Sequence, residues 1–325
     1  MLECAAVEGR KLLFLCLIDA QSSPFLRVIH STRALDAGLH KSLAHQLTRC
    51  IHMLVSSTYD TYLKEMIVKY FNNSPLLLPY YFRSVSLPEP SPSFAFLAQI
   101  SCIRTLLEKG PKPSKRLRDD LPGWPNDSDD FMLWIIPSRF SKNFLTKSIQ
   151  SSNAFIVSHV LKLLTSILRR AALCACDMHD EKLALISDHL QRRLPNLQNL
   201  LALRSRFNPY QVASQSQHHN ASARTTDTDS KLLIIFYLCG VLQHYRSLFE
   251  ASTLATQYDW TKLLPDNPES FKTTPTWFQS RLIETLTLVY GTGQVSRFFL
   301  LIALRIISSP LAYTYRCPCL HCIFV

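Results

Sequence analysis

FLTKSIQSSNAFIVSHVLKLLTSILRRA, from Phe144 to Ala171, sets the architecture of this chain. A short amphipathic piece stops at Ser151-Ser152-Asn153, and a longer periodic one follows. From there the apolar positions are Val157, Val160, Leu161, Leu164, Ile167 and Leu168, at offsets 0, 3, 4, 7, 10 and 11. That spacing is one continuous face of an α-helix. Asn153 is placed to cap it by accepting from an N–H of the first turn. Arg169 and Arg170 fall at the far end, where the helix dipole favours cations. Ile156 and Leu163 lie beside the stripe and widen it toward a second neighbour. A helix covered on two sides belongs inside a layered array and serves as a scaffold element, not a catalytic turn.

Composition extends this reading to the whole chain. Apolar residues make up 47% of the 325 and charged residues 18%, so a core can form. Glycine is scarce, 7 in all against the usual ~7%, which disfavours glycine-cradled phosphates and hairpin-rich sheets. Eighteen prolines lie between apolar runs, where they stop helices. The expected class is all-α. The net charge of +11 favours anionic partners. Between Phe131 and Tyr210 there are 11 Lys and Arg against 4 Asp and Glu, so most of the excess sits in that quarter.

Most of the ten cysteines lie in apolar periodic runs, the pattern of buried thiols in a reducing compartment. The first 21 residues place acids ahead of the run LLFLCLI and form a poor signal peptide. The runs Leu232–Leu242 and Phe298–Ile307 fall short of the ~20 residues of a spanning helix. A soluble intracellular protein without membrane contact is expected.

Spacings of three and four predict helices over Leu35–Leu54, Tyr59–Phe71, Ser93–Glu108, Phe131–Ser148, Asn153–Ala172, Asp180–Arg193, Pro195–Arg206, Lys231–Phe249, Trp277–Tyr290 and Gln294–Ile307. Pro75, Pro79, Pro88, Pro90 and Pro92 punctuate the chain between two of them, and Pro195 suits a first helical position. The expected organisation is a helical-repeat region over 1–207 with a basic proline-rich loop at 110–130. A disordered insertion follows over 208–230, helical repeats resume over 231–308, and a cysteine-rich tail of separate character spans 309–325. The repeating unit is a helix, a short break and another helix, which stacks as an armadillo/HEAT-like α-solenoid of helix pairs.

Four stretches carry a family resemblance. FLTKSIQ, at Phe144–Gln150, sets a Leu-Thr-Lys motif before a long helix. LLPYYFRSVSLPEPSPSFAFLAQIS (Leu77–Ser101) holds a Leu-Pro-Glu-Pro turn between helices. LPGWPNDSDDFMLWIIPSRFSKNFLTKSIQ (Leu121–Gln150) is the approach to the first motif, and LQRRLPNLQNLLALRSRF (Leu190–Phe207) is a Leu-Pro segment followed by a leucine-rich helix. Together they resemble the N-terminal region of the nucleolar pre-ribosomal-associated protein 1 family. The likeness covers Leu77–Phe207, and the family's longer chains imply that this one corresponds to a partial N-terminal piece. The resemblance implies an armadillo/HEAT-like solenoid in nucleus and nucleolus, acting in early assembly of the large ribosomal subunit and pre-rRNA processing. It also implies partners: pre-ribosomal RNA, small nucleolar RNPs and assembly proteins, an RNA helicase among them. It transfers no catalytic residue.

Two basic groups are candidate contacts. Lys112, Lys115, Arg116 and Arg118 form a loop suited to nuclear import or to RNA phosphates, partly neutralised by Asp119 and Asp120. Arg169, Arg170, Arg192, Arg193, Arg204 and Arg206 lie at the ends of consecutive helices and would form a phosphate-binding ridge if those ends align. The alternative for both is solvated decoration. Aromatic interleaving near the arginines is confined to Phe207 and Tyr210. The clusters Cys174–His179 and Cys317–Cys322 contain metal-ligand types, but their tight Cys-x-Cys spacing argues against zinc. Gly291–Gln294 lacks the Lys-Ser/Thr of a phosphate loop. No metal, cofactor or catalysis is expected. The rival expectation is a solenoid adaptor with protein partners only, in transport or as a complex subunit.

Overall fold

The computed structural model describes residues 61–73, 75, 77–113, 131–175, 180–208, 221–249, 263–264, 271 and 274–290. Among them every regular element is helical: α1 (Thr61–Asn73), α2 (Leu77–Ser84), α3 (Phe94–Lys109), α4 (Lys142–Ile149), α5 (Ala154–Ala175), α6 (Asp180–Arg193), α7 (Leu197–Arg206), α8 (Ala221–Leu248) and α9 (Thr276–Tyr290). The expected all-α class holds. The chain divides into two compact units, Met1–Thr253 and Leu254–Val325.

In the first unit α5 is the central helix, packed against α3, α4 and α8. Its predicted stripe Val157, Val160, Leu161, Leu164, Ile167 and Leu168 is buried, and Ile156 and Leu163 are buried with it. Each such side chain contributes about 1.5–3 kcal/mol through removal from water. Asn153 caps the helix as expected, its Oδ1 accepting from Phe155 N at 2.9 Å and Ile156 N at 3.3 Å.

Direction and register follow from side-chain bonds between helices. Lys64 Nζ on α1 donates to Ser101 Oγ on α3 at 2.9 Å, and Asn72 Nδ2 donates to Lys109 O at 3.3 Å. Both pairs are 37 residues apart, so α1 and α3 run parallel in matched register. Ser166 Oγ on α5 donates to Glu108 Oε1 at 2.7 Å, and Arg170 Nη1 donates to Leu107 O at 3.0 Å. The offset of 58 between Ser166 and Glu108, and of 59 between Arg170 Nη2 and Pro111 O just past α3, run α5 in the same direction as α3. Three helices separated by shorter helices or turns therefore point the same way.

Several boundaries differ from the periodicity. Phe131–Ser148 is not one helix. Its first part is a buried turn in which Trp134 N donates to Phe131 O and Ile136 N to Met132 O, and α4 begins only after Ser141, whose Oγ accepts from Phe144 N at 3.2 Å. Pro137, which lacks an N–H, separates the two parts. Pro79 does not punctuate but lies in the first turn of α2, where a missing N–H costs nothing. Pro195 precedes the cap Asn196 and so is not the first helical residue. From there its carbonyl accepts from Tyr245 Oη at 2.7 Å.

The largest difference concerns 208–230. Helix α8 starts at Ala221, ten residues before the apolar pattern begins, so half of the expected insertion is helical. Propagating an existing helix adds one hydrogen bond per residue fixed, and the apolar half has already met the cost of the nucleus. Because α8 packs on α5, the unit boundary falls after Thr253 and not in the polar segment. Residues 209–220, the helices expected at Leu35–Leu54 and Gln294–Ile307, and the tail 309–325 lie outside the described residues.

In the second unit α9 buries Phe278, Leu282 and Leu286, four residues apart on one face. Gln279 Nε2 donates to Phe271 O and Thr274 O, each at 2.8 Å, and secures the turn before the helix.

Candidate nucleic-acid interface

The six arginines at helix ends do not form one surface. Arg170 is 1% exposed and Arg204 is 7% exposed, so both leave the expected ridge. Four backbone carbonyls hold the Arg170 guanidinium. Nε donates to Trp134 O at 2.5 Å, Nη1 to Leu107 O at 3.0 Å and Leu106 O at 3.3 Å, and Nη2 to Pro111 O. Those of Leu106 and Leu107 belong to the last turn of α3, at the negative end of its dipole. Burial pulls the guanidinium down to about 10, and the nearby Cys174 opposes this. At neutral pH it remains a cation.

Arg206 does the same one layer on. Its Nη1 donates to Ile149 O at 3.1 Å and its Nη2 to Ser151 O at 2.7 Å, closing the C-terminus of α4. Arg192 pairs with Asp188 at 2.7 Å on its own helix. Arg169 is exposed and Arg193 half-buried. The sequence places these arginines at helix ends, but Arg169 and Arg170 precede the last turn of α5, which runs to Ala175, and Arg170 and Arg206 close the ends of other helices. In the loop group Lys112 is exposed, whereas Lys115, Arg116 and Arg118 lie outside the described residues.

A different basic and aromatic group comes together across α3, α5 and α8. On α5 the residues Phe155, His159 and Lys162 follow at offsets 0, 4 and 7 and share one face. Phe155 is 54% exposed. Its ring meets that of His159 at 4.3 Å between centroids, tilted by 54°, and its carbonyl faces His159 Nδ1 at 2.9 Å. A carbonyl only accepts, so Nδ1 carries the proton. Burial lowers the His159 pKa, the contact with the Phe155 carbonyl opposes this, and the positive charges of Lys162, Arg104 and Lys64 lower it further. The imidazole is thus biased toward its neutral form, an aromatic surface on which three cations act.

Lys162 Nζ sits 4.6 Å above the Tyr237 ring of α8, which orients the ammonium and adds cation–π attraction. Arg104, one helix away on α3, pairs with Glu108 at 3.6 Å, and Glu108 also accepts from Ser166. The Phe155-His159-Lys162 spacing is visible in the sequence, but the arrival of Arg104 and Tyr237 is not.

Other chemistry is limited. Cys174 is buried in α5, and the rest of that cluster, like Cys317–Cys322, lies outside the described residues. Among the described residues no group of three or more His, Cys, Asp and Glu could hold a metal ion, and no helix is long and apolar enough to cross a membrane. A cleft of about 350 Å³ lies between Lys142, Arg192, Asn196, Tyr245 and Phe249. Its two cations include Arg192, which Asp188 already engages. No protein-family model, curated protein or solved structure matches this chain.

Proposed function

We propose that the protein is a non-enzymatic armadillo/HEAT-like scaffold of the nucleolus that aids early large-subunit assembly by holding pre-ribosomal RNA and assembly factors. The shared direction of α1, α3 and α5 supports this reading. Successive parallel helices joined through shorter elements are what a stacked repeat requires, and they present a broad face of side chains, not a convergent pocket. The net charge of +11 supports an anionic partner. The process and compartment rest on the resemblance over Leu77–Phe207, and the helicase and small nucleolar RNP partners rest on it too.

Crosslinking in cells followed by sequencing of the attached RNA tests the reading. Enrichment of ribosomal precursor sequences is the expected result, and their absence overturns the process assignment. A protein-only adaptor is the second reading, favoured by the exposed Phe94, Leu173 and Leu233. Steep weakening of RNA binding with added salt separates the two, because only phosphate contacts release counterions.

A further inference from the structure

We propose that Phe155, His159, Arg104 and Lys162, with Tyr237 beneath the lysine, form a binding patch for single-stranded RNA. This deepens the RNA-scaffold reading and rests on it. It also moves the nucleic-acid contact away from the arginines at the helix ends. Single-strand binding without sequence preference needs two things in one place: aromatic faces for base stacking and cations for the backbone. The helix-end arginines supply only charge, and much of it is withdrawn or engaged: Arg170 and Arg204 are buried, Arg206 donates to two carbonyls and Arg192 pairs with Asp188 on the surface. The α3–α5–α8 patch supplies both.

Its geometry fits the task. An exposed large apolar ring costs free energy in water unless something covers it. Phe155 is 54% exposed and lies against His159, with ring centroids 4.3 Å apart. That contact limits the freedom of the Phe155 ring, so a base stacking on its open face loses less side-chain entropy. Lys162 follows Phe155 and His159 on the same face of α5, and the charges of Lys162 and of Arg104 on α3 both act on His159. Lys162 is held by Tyr237 and Arg104 by Glu108, so neither side chain must be ordered on binding. Glu108 is the acid that pairs with Arg104. Its carboxylate is engaged by Arg104 and Ser166, which reduces the repulsion it offers to phosphate. A duplex hides its base faces and cannot use the platform, so the patch prefers single strands.

The test is fluorescence anisotropy with the full chain, a labelled oligouridine of about 12 nucleotides, and a duplex of the same length. The wild type binds the single strand more tightly than the duplex. Phe155→Ala weakens single-strand binding by about 10-fold, while Phe155→Trp retains it. Lys162→Gln weakens it several-fold and reduces the slope of log affinity against log salt by about 1. Arg169→Ala and Arg192→Ala leave it unchanged. Phe155 is exposed, so unchanged circular-dichroism melts accompany its variants. RNA binding that survives both Phe155→Ala and Lys162→Gln, or that is equal for the duplex, overturns the patch but leaves the scaffold reading intact. Absence of binding by the wild type at low salt overturns both.

Discussion

Arg170 Nη1 on α5 donates to the carbonyl of Leu107 on α3 at 3.0 Å, across 63 residues of chain. The same guanidinium reaches Leu106, Pro111 and Trp134. A buried cation normally requires a carboxylate. Here the negative end of a helix and two further carbonyls take that role, so four acceptors surround one buried charge. The guanidinium also joins the end of α3, the buried turn after Phe131 and the C-terminal part of α5 into one assembly.

Arg170→Met should therefore destabilise the first unit by about 3 kcal/mol, because removing one partner leaves buried carbonyls unsatisfied. Arg170→Lys restores charge but not the planar fork and recovers only part of this loss. Urea denaturation followed by circular dichroism measures both. An Arg170→Met midpoint equal to that of the wild type would refute the role.

Gly110 closes α3 by donating from its N–H to Leu106 O at 2.9 Å. A Cβ at this position would stand 2.3 Å from that same oxygen. Gly110→Ala is expected to cost about 1–3 kcal/mol through displacement of the cap and of the Arg170 contacts around it. A shared denaturation midpoint with Arg170→Met, together with non-additivity in the double variant, would show the coupling.

Asn153→Ala should cost about 1 kcal/mol, since Oδ1 accepts from two first-turn N–H groups of α5. Asn153→Asp should retain most of that contribution. A thermal melt in which Asn153→Asp falls as far as Asn153→Ala would show that the cap bond is not the cause.

Stability should fall toward both ends of the pH scale. Burial raises the Cys102 thiol from 9.0 to about 12, against a small lowering by Lys64. Burial likewise raises the phenols of Tyr70, Tyr81 and Tyr245. Above about pH 9 the unfolded chain releases these protons while the folded one keeps them, so stability is lost as pH rises from 9 through the folded values. His159 works in the other direction. Its lowered pKa means that below 6.5 the unfolded chain takes up a proton that the folded chain refuses, so stability also drops on acidification. Denaturation midpoints across pH 5 to 11 would trace this dome, and a profile flat above pH 9 would contradict the burial of these groups. The same burial predicts that Cys102, Cys174 and Cys239 resist alkylation in the native state and react once unfolded.

The residue pattern of Asn153–Leu168 settled the long helix, its cap and its buried face, because 3.6-residue periodicity and capping are local physics. It also settled the class, since scarce glycine and dispersed proline leave few other folds. Tertiary contacts decided the rest. Arg170 and Arg169 are neighbours with one chemistry, yet one is buried and the other exposed. Their fates depend on where the end of α3 lies, and that is a property of packing. The helical start of α8 at Ala221 likewise comes from a helix already nucleated by its apolar half against α5. The patch around Phe155 exists only because α3 and α8 bring Arg104 and Tyr237 beside it, and no spacing along the chain records a meeting between helices so far apart in sequence.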